Sequence, residues 1–189
     1  RNTTALYAQR HGAPARGLAV TLGGRIDDND TFGTFRTGRI AASWAPVEGA
    51  RLHGAFGTAF KEPTFFETYA QGFTRGNPEL QPEEARSAEA GAEYAIVPGT
   101  LVAGATWFHQ KFRNLIQYTA TPAEGAPNYV NIGGARASGL ELTAHGGRAA
   151  FDWRAAYTLT RTRVTDAGFG TDAAFQQDER LLRRPEHQA

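Results

Sequence analysis

Alternation of apolar and polar side chains is the feature that most restricts how this chain can fold. In residues 151–160, one alternate set is apolar or aromatic, and the other set, which begins with Asp152 and Arg154, is mostly polar. The same alternation recurs in residues 18–27 and 140–145. Because successive side chains of a β-strand point to opposite faces, this period of two predicts strands with one apolar and one polar face.

We predict eight strands and the start of a ninth near Arg183. The eight strands cover approximately residues 3–11, 16–27, 33–45, 50–60, 84–97, 100–113, 137–146 and 150–163. Most of them exceed the ~5–6 residues typical of strands in soluble sheets. They suit instead the ~9–11 residues that a tilted strand needs to cross a bilayer.

The predicted connections alternate between short and long. The short ones are Gly12–Ala15, Pro46–Gly49, Pro98-Gly99 and Gly146–Ala149, and between them fall Asp28–Phe32, Lys61–Glu83, Asn114–Arg136 and Thr165–Leu182, three of which are long. In an antiparallel meander every second connection lies at the same edge, so the long loops project from one rim. This favours an all-β, antiparallel transmembrane β-barrel whose polar face lines a wet or plugged lumen. A soluble sandwich or lipocalin-like barrel is the alternative.

The composition of the chain argues against several kinds of partner and site. The net charge of +1 gives no reason to expect a polyanionic partner such as nucleic acid. The absence of cysteine excludes a disulfide framework, structural thiolate zinc and a cysteine nucleophile. The chain does not begin with methionine, so we expect a processed chain or a piece of a longer one.

Five motifs follow one another in order along the chain. They are Gly24-Arg25-Ile26-Asp27-Asp28; Phe60-Lys61-Glu62-Pro63-Thr64 with Gly76-Asn77-Pro78-Glu79-Leu80-Gln81-Pro82-Glu83 and Glu89-Ala90-Gly91; Phe112-Arg113-Asn114-Leu115-Ile116; the stretch from Tyr129 to Glu141; and Leu181-Leu182-Arg183-Arg184-Pro185. Each motif is weak alone, but the ordered set resembles the barrel of TonB-dependent outer-membrane receptors. The resemblance implies that residues 1–189 form about eight strands of a ~22-stranded barrel, without its plug domain and closing strands.

The resemblance also implies a function. The complete protein would lie in the outer membrane of a Gram-negative bacterium, contact the lipid bilayer and lipopolysaccharide, and engage TonB through the missing plug region. It would import a scarce nutrient with energy from the inner membrane. The motif order is most similar to the cobalamin-receptor branch, so a corrinoid is the first expected ligand and a ferric siderophore the second. Haem receptors usually place a histidine in the loop between the two proline motifs, where this chain has none, although Tyr69 could serve as a ligand.

The resemblance places ligand binding on the loops of the long-loop rim. The candidate ligand contacts are Phe65, Phe66, Tyr69, Phe73, Arg75, Asn77, Tyr129 and Asn131. The alternative is that the aromatic rings pack against one another as a cover over the barrel mouth. The candidate lumen residues, which would face a plug domain, are Glu89, Glu141 and Arg154.

The sequence offers two further candidate sites. Asp27, Asp28 and Asp30 offer oxygen ligands for calcium, with a solvated turn as the alternative, and no other cofactor is expected. Arginines 161, 163, 180, 183 and 184 could contact lipopolysaccharide, although we favour a solvated charged rim. No Gly-x-Ser-x-Gly motif is present and serine is scarce, so we predict no enzyme and no catalytic residue. A passive pore or small structural barrel remains the alternative function.

Overall fold

The computed structural model describes residues 2–148, 150–168, 176–181 and 184–189. Its strands are β1 (Thr3–Ala15), β2 (Leu18–Asn29), β3 (Gly33–Trp44), β4 (Ala50–Lys61), β5 (Glu83–Val97), β6 (Leu101–Tyr118), β7 (Tyr129–Arg148), β8 (Phe151–Asp166) and β9 (His187–Gln188). They form one antiparallel sheet in chain order. This confirms the all-β meander, and a single sheet in sequential order is not a two-layered sandwich. The predicted start of the ninth strand at Arg183 lies outside the described residues.

One short helix, α1 (Phe65–Tyr69), interrupts the loop between β4 and β5. In the described part of the chain, no helix has the length and apolar character needed to cross a membrane. The loops alternate as predicted. Connections of a few residues follow β1, β3, β5 and β7, whereas the segments after β4, β6 and β8 are longer. Gly17, with φ of +72°, makes the tight turn between β1 and β2.

Cross-strand register gathers the large apolar side chains on one face of the sheet. Leu52, Ala92, Ala105, Leu142 and Tyr157 are successive register partners across five strands. A second row joins Leu22, Ile40 and Phe56. Members of this face such as Leu22 (49%) and Phe56 (48%) are half-exposed. An apolar face of this extent is typical of a surface that contacts lipid or another protein rather than water. We call it the outer face, and the opposite face the inner face.

Buried packing is concentrated at the long-loop rim. Ile132, Ala135, Val164 and Leu181 form a cluster, with Phe112 and Leu115 packed against it. The middle of the sheet, by contrast, contributes few buried side chains. Most of the apolar surface of the sheet is therefore not covered by the chain itself.

The predicted loop Asn114–Arg136 is wrong at both ends. Strand β6 continues to Tyr118 and β7 begins at Tyr129, so the connection is only residues 119–128. Asn114, Gly133 and Gly134 are residue types common in turns, but here they lie within the strands. Asn114 adopts φ of +51° within β6, and Gly133 packs so closely on Asp166 that a Cβ atom there would clash with its carboxylate. The β6–β7 hairpin extends past Glu84↔Arg113, the outermost β5–β6 pair.

Candidate functional site at the long-loop rim

Residues 62–82, called the aromatic loop below, begin with a capped helix. The Thr64 hydroxyl accepts a hydrogen bond from the Glu67 N–H at 3.2 Å, and the Glu67 carboxylate accepts one from the Thr64 N–H at 2.7 Å. This capping box satisfies two backbone donors at the start of α1. Burial raises the pKa of the Glu67 carboxyl, but the hydrogen bonds from Thr64 and the Lys61 ammonium outweigh that effect, so the pKa lies below its ordinary value.

Helix α1 presents aromatic rings at the rim. The rings of Phe65 and Tyr69, one helical turn apart, have centroids 4.9 Å apart. Phe66 lies edge-on to Tyr129 at 6.2 Å, and Tyr129 lies 5.3 Å from Tyr118 at the end of β6. We call these five residues the aromatic patch. Phe65 and Phe66 remain 69% and 60% exposed, so the rings contact one another without forming a closed cover.

Phe73 and Arg75 lie further along the aromatic loop. The Phe73 side chain is 99% exposed, and Arg75 is also exposed. The backbone of Arg75 is held, because its N–H donates to Asn128 Oδ1 at 2.8 Å and its carbonyl accepts from the Asn128 N–H at 2.9 Å. The buried Asn128 side chain also donates to the Thr119 carbonyl at 2.9 Å. Asn128 thus joins the aromatic loop to the 119–128 connection, and the sequence motifs did not single it out.

The two asparagines predicted to contact ligand hold the backbone. Asn77 Nδ2 donates to the Tyr129 carbonyl at 3.0 Å, and Asn77 Oδ1 accepts from the Glu79 N–H at 3.0 Å. Asn131 exchanges hydrogen bonds with the Gln81 backbone at 2.8 and 3.0 Å and donates to the Asn114 carbonyl at 2.6 Å. Their amides brace the loop, so the structure supports a positioning role for both residues.

A recess of about 740 Å³ adjoins this braced region. Polar groups of Asn77, Gln81, Asn131 and Asp166 line it. Its volume falls within the ~300–1,000 Å³ range of small-molecule sites. The rim therefore combines exposed aromatic rings with a recess whose wall is partly polar.

The predicted lumen residues share the inner face. Glu141 is the register partner of Thr106 and Thr158, and Glu89 that of Ala55 and Phe108. Arg154 pairs with His145, four residues along β7 from Glu141 and therefore on the same face. All three predicted side chains are exposed. The face also carries an Arg51–Glu93 ion pair with hydrogen bonds of 2.9 and 2.6 Å.

His53 and Gly91 explain one of the motifs. His53 Nε2 lies 3.2 Å from the Thr106 hydroxyl, across Gly91 of β5. A Cβ atom at position 91 would come within 2.6 Å of the His53 ring and of Thr106 Oγ1. The glycine of the Glu89-Ala90-Gly91 motif therefore makes room for an imidazole on the inner face.

The structure separates the three aspartates proposed for calcium. Asp27 is buried on the inner face and accepts hydrogen bonds of 2.6 to 2.9 Å from Arg25. Asp28 points to the outer face and accepts from Thr34 at 2.8 Å, and Asp30 accepts from the Asn2 N–H at 3.0 Å. Within the described ranges, no three His, Asp or Glu side chains are grouped to hold a metal ion. The calcium site stays a prediction without support from this geometry.

Comparison with known proteins decides the family. The family described as TonB dependent receptor-like, beta-barrel matches residues 1–189. The chain belongs to this family. The resemblance inferred from the five motifs is confirmed, and so is the barrel fold class. In the described residues the sheet is not closed, since β1 and β9 are its two edges.

Solved structures of siderophore receptors are similar to this TonB-dependent receptor barrel. The siderophore receptor PirA from Pseudomonas aeruginosa has a TM-score of 0.74 and 24% identity, over 87% of this chain and 32% of that one. A variant of the ferric enterobactin receptor PfeA from the same organism, in complex with enterobactin, has a TM-score of 0.68 and 26% identity, over 84% of this chain and 26% of that one. The ferric-catecholate import receptor Fiu from Escherichia coli K12 has a TM-score of 0.71 and 16% identity, over 98% of this chain and 30% of that one. The chain thus spans about a third or less of the length of these receptors.

Proposed function

We propose that this chain is the ligand-binding part of a receptor that imports a ferric siderophore across the outer membrane of a Gram-negative bacterium. The observation that carries the proposal is family membership together with an exposed aromatic patch on the long-loop rim. The named functions of the similar structures favour a siderophore over the corrinoid that the motif order put first. Import would draw on inner-membrane energy through TonB and a plug domain, with transport rather than catalysis as the activity.

The chemistry of a ferric catecholate suits this rim. Such a complex carries negative charge and flat aromatic rings. Phe65, Phe66 and Phe73 offer exposed rings for stacking, and the exposed Arg75 offers a guanidinium that can pair with the anion. Apolar outer-face rows such as Leu22, Ile40 and Phe56 would meet the lipid.

The test is a titration of the complete receptor with ferric enterobactin and, separately, with cyanocobalamin. Binding is measured by the quenching of the receptor's intrinsic fluorescence. We expect saturable binding of the ferric catecholate. Phe73→Ala should weaken it about 10-fold, or about 1.4 kcal/mol, because that side chain is 99% exposed and its loss removes a ligand contact rather than packing.

Phe151→Ala is the matched control. Phe151 is likewise an exposed phenylalanine, at 68%, but it lies at the opposite, short-turn end of β8. The control should leave affinity unchanged. Saturable binding of cyanocobalamin with none of ferric enterobactin would overturn the siderophore proposal in favour of a corrinoid, and binding of neither would count against nutrient import.

A further inference from the structure

One lysine at the end of β4 lies between two carboxylates at the long-loop rim. Lys61 Nζ is 3.5 Å from Glu67 Oε1 in helix α1 and 3.6 Å from Glu83 Oε2 at the start of β5. The Glu67 and Glu83 side chains are only 17% and 16% exposed. Among the described residues, neither carboxylate forms another salt bridge. Lys61 is therefore the shared counter-ion of two carboxylates that are largely withdrawn from solvent.

Glu83 extends this bridge to the neighbouring strand β6. Lys61 and Glu83 are direct register partners, so their side chains lie on the same face of the sheet at the last β4–β5 pair. The register pairs between β5 and β6 end at Glu84. Beyond them, Glu83 Oε1 accepts a hydrogen bond from the Ile116 N–H at 2.8 Å. One chain of polar contacts thus runs from α1 through the ends of β4 and β5 to β6.

The two ends of this chain of contacts carry the two parts of the aromatic patch. Three of its rings lie on α1, which contains Glu67. The other two rings belong to Tyr118 and its register partner Tyr129, on the β6–β7 hairpin just beyond Ile116. Phe66 meets Tyr129 edge-on between the two parts, with centroids 6.2 Å apart. The position of α1 against these strands therefore sets the spacing of the rings.

We propose that Lys61 is a positioning residue for ligand binding, which fixes the spacing of the aromatic patch by holding Glu67 and Glu83 together. Without Lys61, two largely buried carboxylates would face each other with no cation, and an uncompensated buried charge is costly. Turning Glu67 towards water would relieve that cost and tilt the start of α1 away from the strands. The inference rests on the proposed function for where the nutrient binds, but it gives Lys61 no contact with the nutrient.

The first test measures the affinity of the complete receptor for ferric enterobactin. Lys61→Met should weaken binding about 10-fold, because two ion pairs are lost together. Lys61→Arg should stay within about threefold of the unaltered receptor, because arginine keeps the charge. Glu83→Gln should weaken binding about threefold. Removing a negative charge near an anion would by itself tighten binding, so tighter binding by Glu83→Gln would overturn the positioning role.

Lys111→Met is the matched control. Lys111 is the other lysine of the chain, exposed on the outer face of β6, and no salt bridge of the described residues involves it. The control should keep its affinity, and a loss equal to that of Lys61→Met would refute a specific bridge. Lys61→Met/Glu83→Gln should bind as well as Lys61→Met alone, because both break the same bridge. Losses that simply add would contradict the inference.

A second measurement needs no ligand. Nitroxide labels in the variant Glu48→Cys/Gln71→Cys lie in the short turn before β4 and just beyond α1, in a chain without cysteine of its own. Pulsed electron spin resonance then reports the position of α1 relative to the strands. The distance distribution should broaden in Lys61→Met and be narrow again in Lys61→Arg, and an unchanged distribution in Lys61→Met would overturn the inference. If the distribution broadens but the unaltered receptor binds no ferric enterobactin, the proposed function fails while the role of Lys61 in placing α1 stands.

Discussion

Replacing Asn128 with alanine should open the aromatic loop while leaving the barrel intact. The Asn128 side chain is 4% exposed, accepts a hydrogen bond from the Arg75 N–H at 2.8 Å and donates to the Thr119 carbonyl at 2.9 Å. Alanine removes both bonds and leaves two backbone groups without these partners. At about 1 kcal/mol for each bond, the closed loop loses about 2 kcal/mol. The fraction of time that the loop is open then rises about 30-fold.

The assay uses the chain's own cleavage site. Arg75 lies in the loop segment that Asn128 holds, and trypsin cuts after arginine. When opening and closing are fast compared with cleavage, the cleavage rate follows the population of the open state. Cleavage between Arg75 and Gly76 of the complete receptor, followed by mass spectrometry, should therefore accelerate about 30-fold in Asn128→Ala. The thermal midpoint of the barrel should change little, because the inter-strand hydrogen bonds remain.

Gln117→Ala controls for the loss of an amide close by. Among the residues that the structure describes, Gln117 Nε2 donates only to the carbonyl of its own neighbour Ile116, at 2.9 Å. Its removal should leave cleavage after Arg75 within about threefold of the unaltered protein, a change below the ~1 kcal/mol worth of one hydrogen bond. An Asn128→Ala variant cleaved at the unaltered rate would refute the view that Asn128 holds the loop closed.

Two further predictions concern the inner face and the loop helix. Gly91→Ala should destabilise the complete receptor by about 1–3 kcal/mol, because the added methyl group overpacks against His53. Calorimetry measures this change. Gly12→Ala is the control and should be near neutral in the same measurement, because a Cβ atom at position 12 meets nothing within 4 Å. Because the pKa of Glu67 is lowered in the folded loop, its contribution to helix α1 is present above the ordinary value of about 4.3 and lost as pH falls through the lowered pKa. Relative to the intrinsic exchange rate at each pH, hydrogen exchange in α1 should therefore rise at acid pH in the unaltered protein. Thr64→Ala should raise it already at pH 7, and a Thr64→Ala helix as protected as the unaltered one would contradict the capping role.

The sheet was predictable because the alternation of apolar and polar residues that marks a strand lies within the strand's own sequence. Alternation in residues 151–160 fixes which side chains share a face, whatever the partner strands are. The limits of β6 and β7 were not predictable from the same signal. Asn114, Gly133 and Gly134 resemble loop residues, and only the tertiary approach of Asp166 explains why a glycine is needed within a strand.

In the candidate site, too, the features set by local sequence were predictable and those set by tertiary contacts were not. The cluster of aromatic residues in the loop, such as Phe65 and Phe66, could be read from the sequence, but the sequence left open whether the rings bind a ligand or pack against one another as a cover. The bracing role of Asn77 and Asn131 could not be predicted from the sequence. A side-chain amide can bind either a backbone carbonyl or a ligand, and only the structure shows which partner lies next to it. Asn128 was missed because its partner Arg75 lies 53 residues away in sequence.

Strand register also gathers charges that are scattered in the sequence. Arg86, Lys111, Arg136 and Arg163 lie on four different strands, and as single exposed cations each would be an ordinary surface residue. Antiparallel pairing brings them into one row, and the period of two places that row on the same face as Trp107 and Leu140. A one-residue slip of β7 would move Arg136 to the inner face and break the row. The strand register that gives the barrel its apolar belt therefore also determines whether the belt ends in a cationic edge.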